Sequence, residues 1–241
     1  MPDRANSIIV SLDVSTLAEA ERLAVRLAGA VAAVKIGKQL FTAEGPAAVR
    51  AMHAAGFRVF LDLKYHDIPN TVAGAVESAA ALGVWMLNVH ASGGAAMLRA
   101  AASALAGAPA GRRPLLLGVT VLTSLGDPDI REAWGTTRTV SEQVAHLAVA
   151  ARTAGLDGVV ASPQEIRLIR RSCGADFLIV TPGVRPAASA RDDQRRVMTP
   201  GEAIRAGADY LVIGRPITAA PDPAEAAARI AEECRAATTD H

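Results

Sequence analysis

Arg58-Val-Phe-Leu-Asp-Leu-Lys-Tyr-His-Asp-Ile-Pro-Asn-Thr71 decides how the rest of the chain is read. Its first half is apolar and β-favouring at Val59, Phe60, Leu61 and Leu63, which predicts a buried strand. Asp62 and Lys64 interrupt that run two residues apart, so on a regular strand their ionic heads share a face. Asp67 follows at a turn where Pro69 and Asn70 stop the strand. Three ionisable groups of alternating sign are therefore expected to converge at one strand end. Buried charges are costly unless paired, so a purely structural ion pair is the plain alternative. The flanking sequence decides between the two.

Towards the N-terminus, Ala33–Gly37 reads as a strand with Lys35 buried in it. Residues 8–14 form an apolar run that ends at Asp13. Ser15 or Thr16 then caps a helix whose apolar positions Leu17, Ala20, Leu23, Ala24 and Leu27 recur at helical spacing. A further helix is expected around residues 45–55. Towards the C-terminus, strands are expected at residues 85–90, 115–122, 158–162, 177–183 and 210–214. Amphipathic stretches rich in Ala, Leu, Arg and Glu separate them. Continuous apolar strands alternating with helices imply a parallel sheet covered by helices. Eight repeats in 241 residues give about 30 residues per unit, the length of a βα unit. Closure into an α/β (β/α)8 TIM barrel is the economical architecture, with an open doubly wound sheet as the competitor. No linker or composition shift divides the chain, so residues 1–241 read as a single domain, with 236–241 a frayed tail.

Hydrophobic residues make up 51% of the chain and charged residues 20%, with a net charge of +1. This excludes disorder and gives no electrostatic reason for a nucleic-acid or membrane partner. Cys173 and Cys234 form no C-x-x-C pair and read as reduced, non-catalytic thiols. Residues 1–7 hold no apolar signal core, and no apolar run reaches the ~18 residues that span a bilayer. A soluble, cytoplasmic protein is expected.

Polar residues gather where the strands end, which is where barrel active sites are built. In strand order these are Asp13, Lys35, Asp62 with Lys64, Asn88 with His90, Thr123 with Ser124, Thr181-Pro-Gly-Val-Arg185, and Gly214-Arg215. Asp13, Lys35, Asp62 and Lys64 on adjacent strands make a charged network facing one cavity, a signal of function rather than of structure alone. The last two strands point to phosphate, because a glycine-rich loop and a guanidinium suit an anion there. Arg185 and Gln194 lie on a long segment, residues 185–200, that reads as a lid or a disordered excursion. Arg191, Arg195 and Arg196 read as solvated charges. His66 and His90 suggest a metal site, but the second strand ends in Lys35 where a ligand is needed, so no metal is expected. Gly93-Gly94 lacks a dinucleotide fingerprint. Trp85 and Trp134 read as packing residues.

Asp62-x-Lys64-x-x-Asp67-Ile-Pro-Asn-Thr71 closely resembles the signature of the orotidine 5′-phosphate decarboxylase family, in its type 1, bacterial-like form. The similarity continues through Leu12-Asp13-Val14, Val34-Lys35-Ile36-Gly37, Val119-Thr-Val-Leu-Thr-Ser124, Thr181-Pro-Gly-Val-Arg-Pro186, Asp193-Gln194-Arg195-Arg196-Val197 and Gly207-Ala-Asp-Tyr-Leu-Val-Ile-Gly-Arg-Pro-Ile-Thr218. Tyr65 stands where Phe is common and Arg195 where Lys is common. The D-x-K-x-x-D core alone is shared with sugar-phosphate decarboxylases. The longer run and the two phosphate loops narrow the match.

The resemblance implies a carboxy-lyase that converts orotidine 5′-monophosphate to uridine 5′-monophosphate and CO2, the last step of de novo pyrimidine synthesis, with no cofactor. It implies Lys35, Asp62, Lys64 and Asp67 as the charged network, with Lys64 protonating C6. Asp13 and Lys35 would serve the ribose hydroxyls and Thr123 the pyrimidine edge. Arg185, Gln194, Gly214 and Arg215 would hold the phosphate. It further implies a homodimer in which Asp67 and Thr71 complete the partner's site. Two alternatives stand beside it: a Mg2+-dependent sugar-phosphate decarboxylase of the 3-keto-gulonate 6-phosphate type, and a non-catalytic phosphoribosyl-ligand sensor.

Overall fold

Parallel strands pair in chain order and then close, so that β1 (Ile8–Leu12) lies beside both β2 (Ala33–Gly37) and β8 (Tyr210–Ile213). Between them run β3 (Arg58–Tyr65), β4 (Met86–His90), β5 (Leu115–Val119), β6 (Gly158–Val160) and β7 (Leu178–Pro182). The computed structural model describes residues 7–109, 111–185 and 198–239. Around the barrel lie α1 (Leu17–Leu27), α2 (Lys38–Glu44), α3 (Pro46–Ala54), α4 (Pro69–Ala81), α5 (Gly94–Ser103) and α6 (Asp127–Trp134). The ring is completed by α7 (Val140–Thr153), α8 (Ile166–Cys173), α9 (Pro200–Ala206), α10 (Arg215–Thr218) and α11 (Pro223–Thr239). The (β/α)8 barrel expected from the strand spacing is the observed fold, and the open sheet is not.

Period-two alternation sorts each strand's residues between two compartments. Ile9, Ala33, Phe60, Met86, Leu117, Val160, Val180 and Tyr210 fill the barrel interior. Their neighbours Val10, Val34, Leu61, Leu87, Leu116 and Val159 face the helices. Both faces are buried, which is why the strands read as unbroken apolar runs. One step further towards the C-terminal ends, the inward positions change character to Ser11, Lys35, Asp62 and Asn88, all buried. These polar positions thus sit on top of an apolar plug. At the opposite end, the Arg58 guanidinium lies 4.1 Å from the centre of the Trp85 ring. Trp85 in turn meets Tyr210 edge to face at 5.1 Å. Trp85 packs as expected, whereas Trp134 remains 41% exposed and belongs to neither core cluster among the described residues.

Three helices begin with a reciprocal capping box: Thr16 with Glu19, Thr139 with Glu142, and Thr199 with Glu202. Of the two caps considered for α1, Thr16 is the one used, and Ala20, Ala24 and Leu27 are its buried residues. Two features depart from expectation. The helix expected around residues 45–55 is preceded by a second one, α2, and α11 continues to Thr239, so most of the expected tail is helical.

Candidate active site

Lys35, on β2, and Lys64, on β3, both reach the carboxylate of Asp62. Lys35 Nζ lies 3.3 Å from Asp62 Oδ2 and 3.2 Å from Asp13 Oδ1, while Lys64 Nζ lies 2.6 Å from Asp62 Oδ1. The order Asp13, Lys35, Asp62, Lys64 is therefore a continuous ladder of alternating charge. Burial would raise the Asp62 carboxyl. The ammonium groups of Lys35 and Lys64, with hydrogen bonds from Lys64 and Asn88, outweigh it and hold the group below the usual carboxylate range.

Two residues that sequence alone gave no role complete the ladder. Ser11 Oγ donates to Asp13 Oδ2 at 2.7 Å, fixing the exposed end. Asn88 Nδ2 donates to Asp62 Oδ1 at 2.7 Å, and Asn88 Oδ1 accepts from the Lys64 backbone N–H at 2.8 Å. Both face inward two residues from an interior apolar position, Ile9 or Met86, and that parity was the available signal. Gly37 supplies the space: a Cβ there would stand 3.1 Å from Lys35 Nζ and 3.4 Å from Asp13 Oδ1.

The reason for expecting Asp62 and Lys64 together needs correcting. They do meet, but not through regular alternation. Lys64 has φ of 54°, the left-handed region, and the ladder to β4 shifts register between Leu61 and Tyr65. The third group does not converge within this chain. Asp67 is exposed and accepts a hydrogen bond from the Ile68 N–H at 2.6 Å, and Thr71, in the first turn of α4, is exposed as well.

A cleft of about 300 Å³ opens above the plug. Ser11, Asp13, Lys35, Asp62 and Lys64 line it together with Thr123, Arg185, Gly214 and Arg215. All the expected site residues except Asp67, Thr71 and Gln194 thus share one cavity; Gln194 lies outside the described residues. The segment expected as a lid has its two ends together, since Val184 bridges Met198 and the Arg185 N–H donates to the Met198 carbonyl at 3.0 Å. Arg185 is thereby anchored at the cavity rim.

Beside the site, the His66 and His90 rings lie 5.4 Å apart. Burial, with the positive charges of His66, Lys38 and Lys64, pushes His90 down to about 4, so it is neutral at physiological pH. Among the described residues, no group of three His, Cys, Asp or Glu side chains is arranged around a metal position. Cys173 and Cys234 are buried, and burial raises both thiols, Cys234 to about 11, so neither is a nucleophile near neutrality.

Fold and site together define a barrel of the enzyme type, with a lysine–carboxylate ladder and two arginines lining one cavity at the C-terminal ends of its strands. Residues 6–230 match the model of the orotidine 5′-phosphate decarboxylase / HUMPS family. The chain is 61% identical over 231 residues to the orotidine 5′-phosphate decarboxylase of Moorella thermoacetica, covering 95% of this chain and 92% of that protein. It is 57% identical to the enzyme of the same name from Syntrophotalea carbinolica, covering 95% of each. The crystal structure of orotidine 5′-phosphate decarboxylase from Lactobacillus acidophilus superposes with a TM-score of 0.85 at 39% identity, covering 95% of this chain and 99% of that one. The chain belongs to the orotidine 5′-phosphate decarboxylase / HUMPS family.

Proposed function

We propose that this protein decarboxylates orotidine 5′-monophosphate to uridine 5′-monophosphate and CO2, completing pyrimidine nucleotide synthesis, with Lys64 as the proton donor. The observation that carries the reading is the Lys35–Asp62–Lys64 ladder in one cavity with Arg185, Gly214 and Arg215. The nucleotide is favoured over a sugar phosphate by the names of relatives 57–61% identical to this chain.

Breaking the bond from C6 to the carboxylate leaves its electron pair on C6, in an orbital the ring's π system cannot delocalise. The Lys64 ammonium faces that developing charge, then transfers its proton to C6 and is left as an amine that solvent reprotonates. Asp62 orients Lys64 and crowds the substrate carboxylate, a repulsion released as neutral CO2 leaves. That repulsion is bounded: two like charges ~4 Å apart at an effective dielectric of ~20 repel by about 4 kcal/mol. At ~1.4 kcal/mol per tenfold this is about three orders of magnitude, against the ~23 kcal/mol that the hardest reactions require. Most of the acceleration must therefore come from stabilising the carbanion and from binding energy at the phosphate, which Arg185, Gly214 and Arg215 supply. Asp13 and Lys35 hold the ribose hydroxyls, Thr123 the pyrimidine edge, and Gln194 the phosphate.

The reading includes a homodimer in which Asp67 and Thr71 reach the partner's ladder. Their exposure, beside an Ile68 that is 67% exposed, supports it. No helix among the described residues is long and apolar enough to cross a membrane, and a cytoplasmic location fits the pathway. The test is to strip the protein of metal with EDTA and follow the ultraviolet absorbance of orotidine 5′-monophosphate. Undiminished turnover is expected. Absence of turnover would overturn the proposed substrate, and activity restored only by Mg2+ would overturn the cofactor-free mechanism.

A further inference from the structure

Asn88 is fully buried on β4 and forms no part of the cavity wall, yet it touches the catalytic ladder twice. Its Nδ2 donates to Asp62 Oδ1, the same oxygen that accepts from Lys64 Nζ, and its Oδ1 accepts from the Lys64 backbone N–H. These three bonds close a ring: Lys64 main chain, Asn88 amide, Asp62 carboxylate, Lys64 side chain. We propose that Asn88 is a positioning residue for decarboxylation, which sets the place of the Lys64 ammonium by holding both its backbone and its counter-ion. The inference rests on Lys64 as the proton donor.

Lys64 is the only non-glycine residue with positive φ among those described, and it lies where the ladder to β4 loses register. At that break the side-chain amide of Asn88 stands in for a ladder carbonyl. The orientation of the amide is set by its partners, because a backbone N–H can only donate and an ionised carboxylate can only accept. Reversing it would oppose two donors at one end and two acceptors at the other. No other side chain of this size offers a donor and an acceptor on separate atoms without carrying charge, so aspartate, leucine or alanine each lose at least one arm. A tip displaced by about 1 Å from its target can lower the rate by about 10²-fold, which is the scale expected here.

Asn88→Ala and Asn88→Asp should be assayed beside wild type and Lys64→Ala, with kcat and KM determined separately and folding checked by circular dichroism. For Asn88→Ala, kcat should fall by about 10²-fold with KM within about threefold, because Asn88 does not line the substrate cavity. Asn88→Asp keeps the acceptor for Lys64 but sets a carboxylate against Asp62. A neighbouring carboxylate raises the pKa of the introduced carboxyl, and once protonated its O–H can donate to Asp62 as the amide does. Its kcat relative to wild type should therefore rise as the pH is lowered from about 8 to about 5, a trend that a merely structural residue would not produce. A folded Asn88→Ala with kcat within about twofold of wild type would overturn the inference. If Asn88→Ala fails to fold, the nearly isosteric Asn88→Asp decides, and a pH-independent ratio overturns the inference. Full turnover by Lys64→Ala would instead sink the assignment of the proton donor.

Discussion

Lys64 holds a side chain on a left-handed backbone, a conformation that costs an L-residue roughly 1–2 kcal/mol and that glycine adopts freely. Such strain persists only where its surroundings enforce it, and here the enforcing groups are the Asn88 amide and Asp62. Lys64→Gly and Lys64→Ala should both lose turnover. By denaturant unfolding, however, Lys64→Gly should be the more stable of the two by about 1 kcal/mol. Equal stability would remove the claim of strain. His90 makes a prediction in pH. Its folded-state pKa is depressed to about 4 from 6.5, so the unfolded chain binds the proton more readily. The stability that neutral His90 contributes is complete above pH 6.5 and is lost as pH falls towards 4. Melting temperatures across that window should fall less steeply for His90→Asn than for wild type. At this scale the pairing of Asp62 with Lys35 was legible, because inward charges on neighbouring strands must find one another, whereas Asp62 and Lys64 meet on one strand for a reason the spacing did not contain. The positive φ was not legible, since no local turn residue marks it. Nor was the separation of Asp67, because a turn's direction depends on the contacts around it.

Among elements, the strands were legible and their connections less so. Strands buried on both faces declare themselves as apolar runs, and β1 through β8 fall within the expected segments. α2 was not legible because its N-cap is Gly37, with no side-chain hydrogen bond to announce a start. α6 carried a readable signal in Asp127-Pro128 after Gly126, and Asp129 does reach back to the Gly126 N–H at 2.7 Å. The strands are also pinned at their lower ends by acids that precede them. Asp157 accepts from the Leu116 N–H at 2.8 Å, and Asp209 from the Ile179 N–H at 2.7 Å. Arg170 ties the same region together by donating to the carbonyls of Gly207, Ala175 and Phe177 and pairing with Asp209. Between these anchors β6 and β7 approach so closely that a Cβ on Gly158 would overlap the Leu178 carbonyl oxygen and Cβ. Backbone cannot swing aside as a flexible side chain does. Gly158→Ala should therefore lose about 1–3 kcal/mol in chemical denaturation, with KM of the surviving folded enzyme little changed.

For the molecule as a whole, large apolar side chains stand exposed on loops and helices that follow the barrel strands. Ile68 follows β3 and is 67% exposed, Leu122 follows β5 and is 40% exposed, and Trp134 lines a cleft that also holds His66. In the proposed dimer this surface meets its copy and Asp67 serves the opposite ladder. Subunits carrying Lys64→Ala should then complement subunits carrying Asp67→Ala. After mixing and reassociation, activity should return to about a quarter of wild type, since half the randomly paired dimers own one intact site. Activity that stays at the level of the separate variants would show that Asp67 does not act across subunits. The proposed assembly comes only from family resemblance, because one chain's spacing says nothing about where a copy would sit. The opposite pole of the barrel has its own consequence. With Arg58 laid over Trp85, Trp85 against Tyr210, and an apolar plug above them, the barrel is a cul-de-sac rather than a tunnel. Incoming reactant and outgoing nucleotide must pass through one doorway in turn, so a lingering product bars the next arrival and its inhibition should be purely competitive.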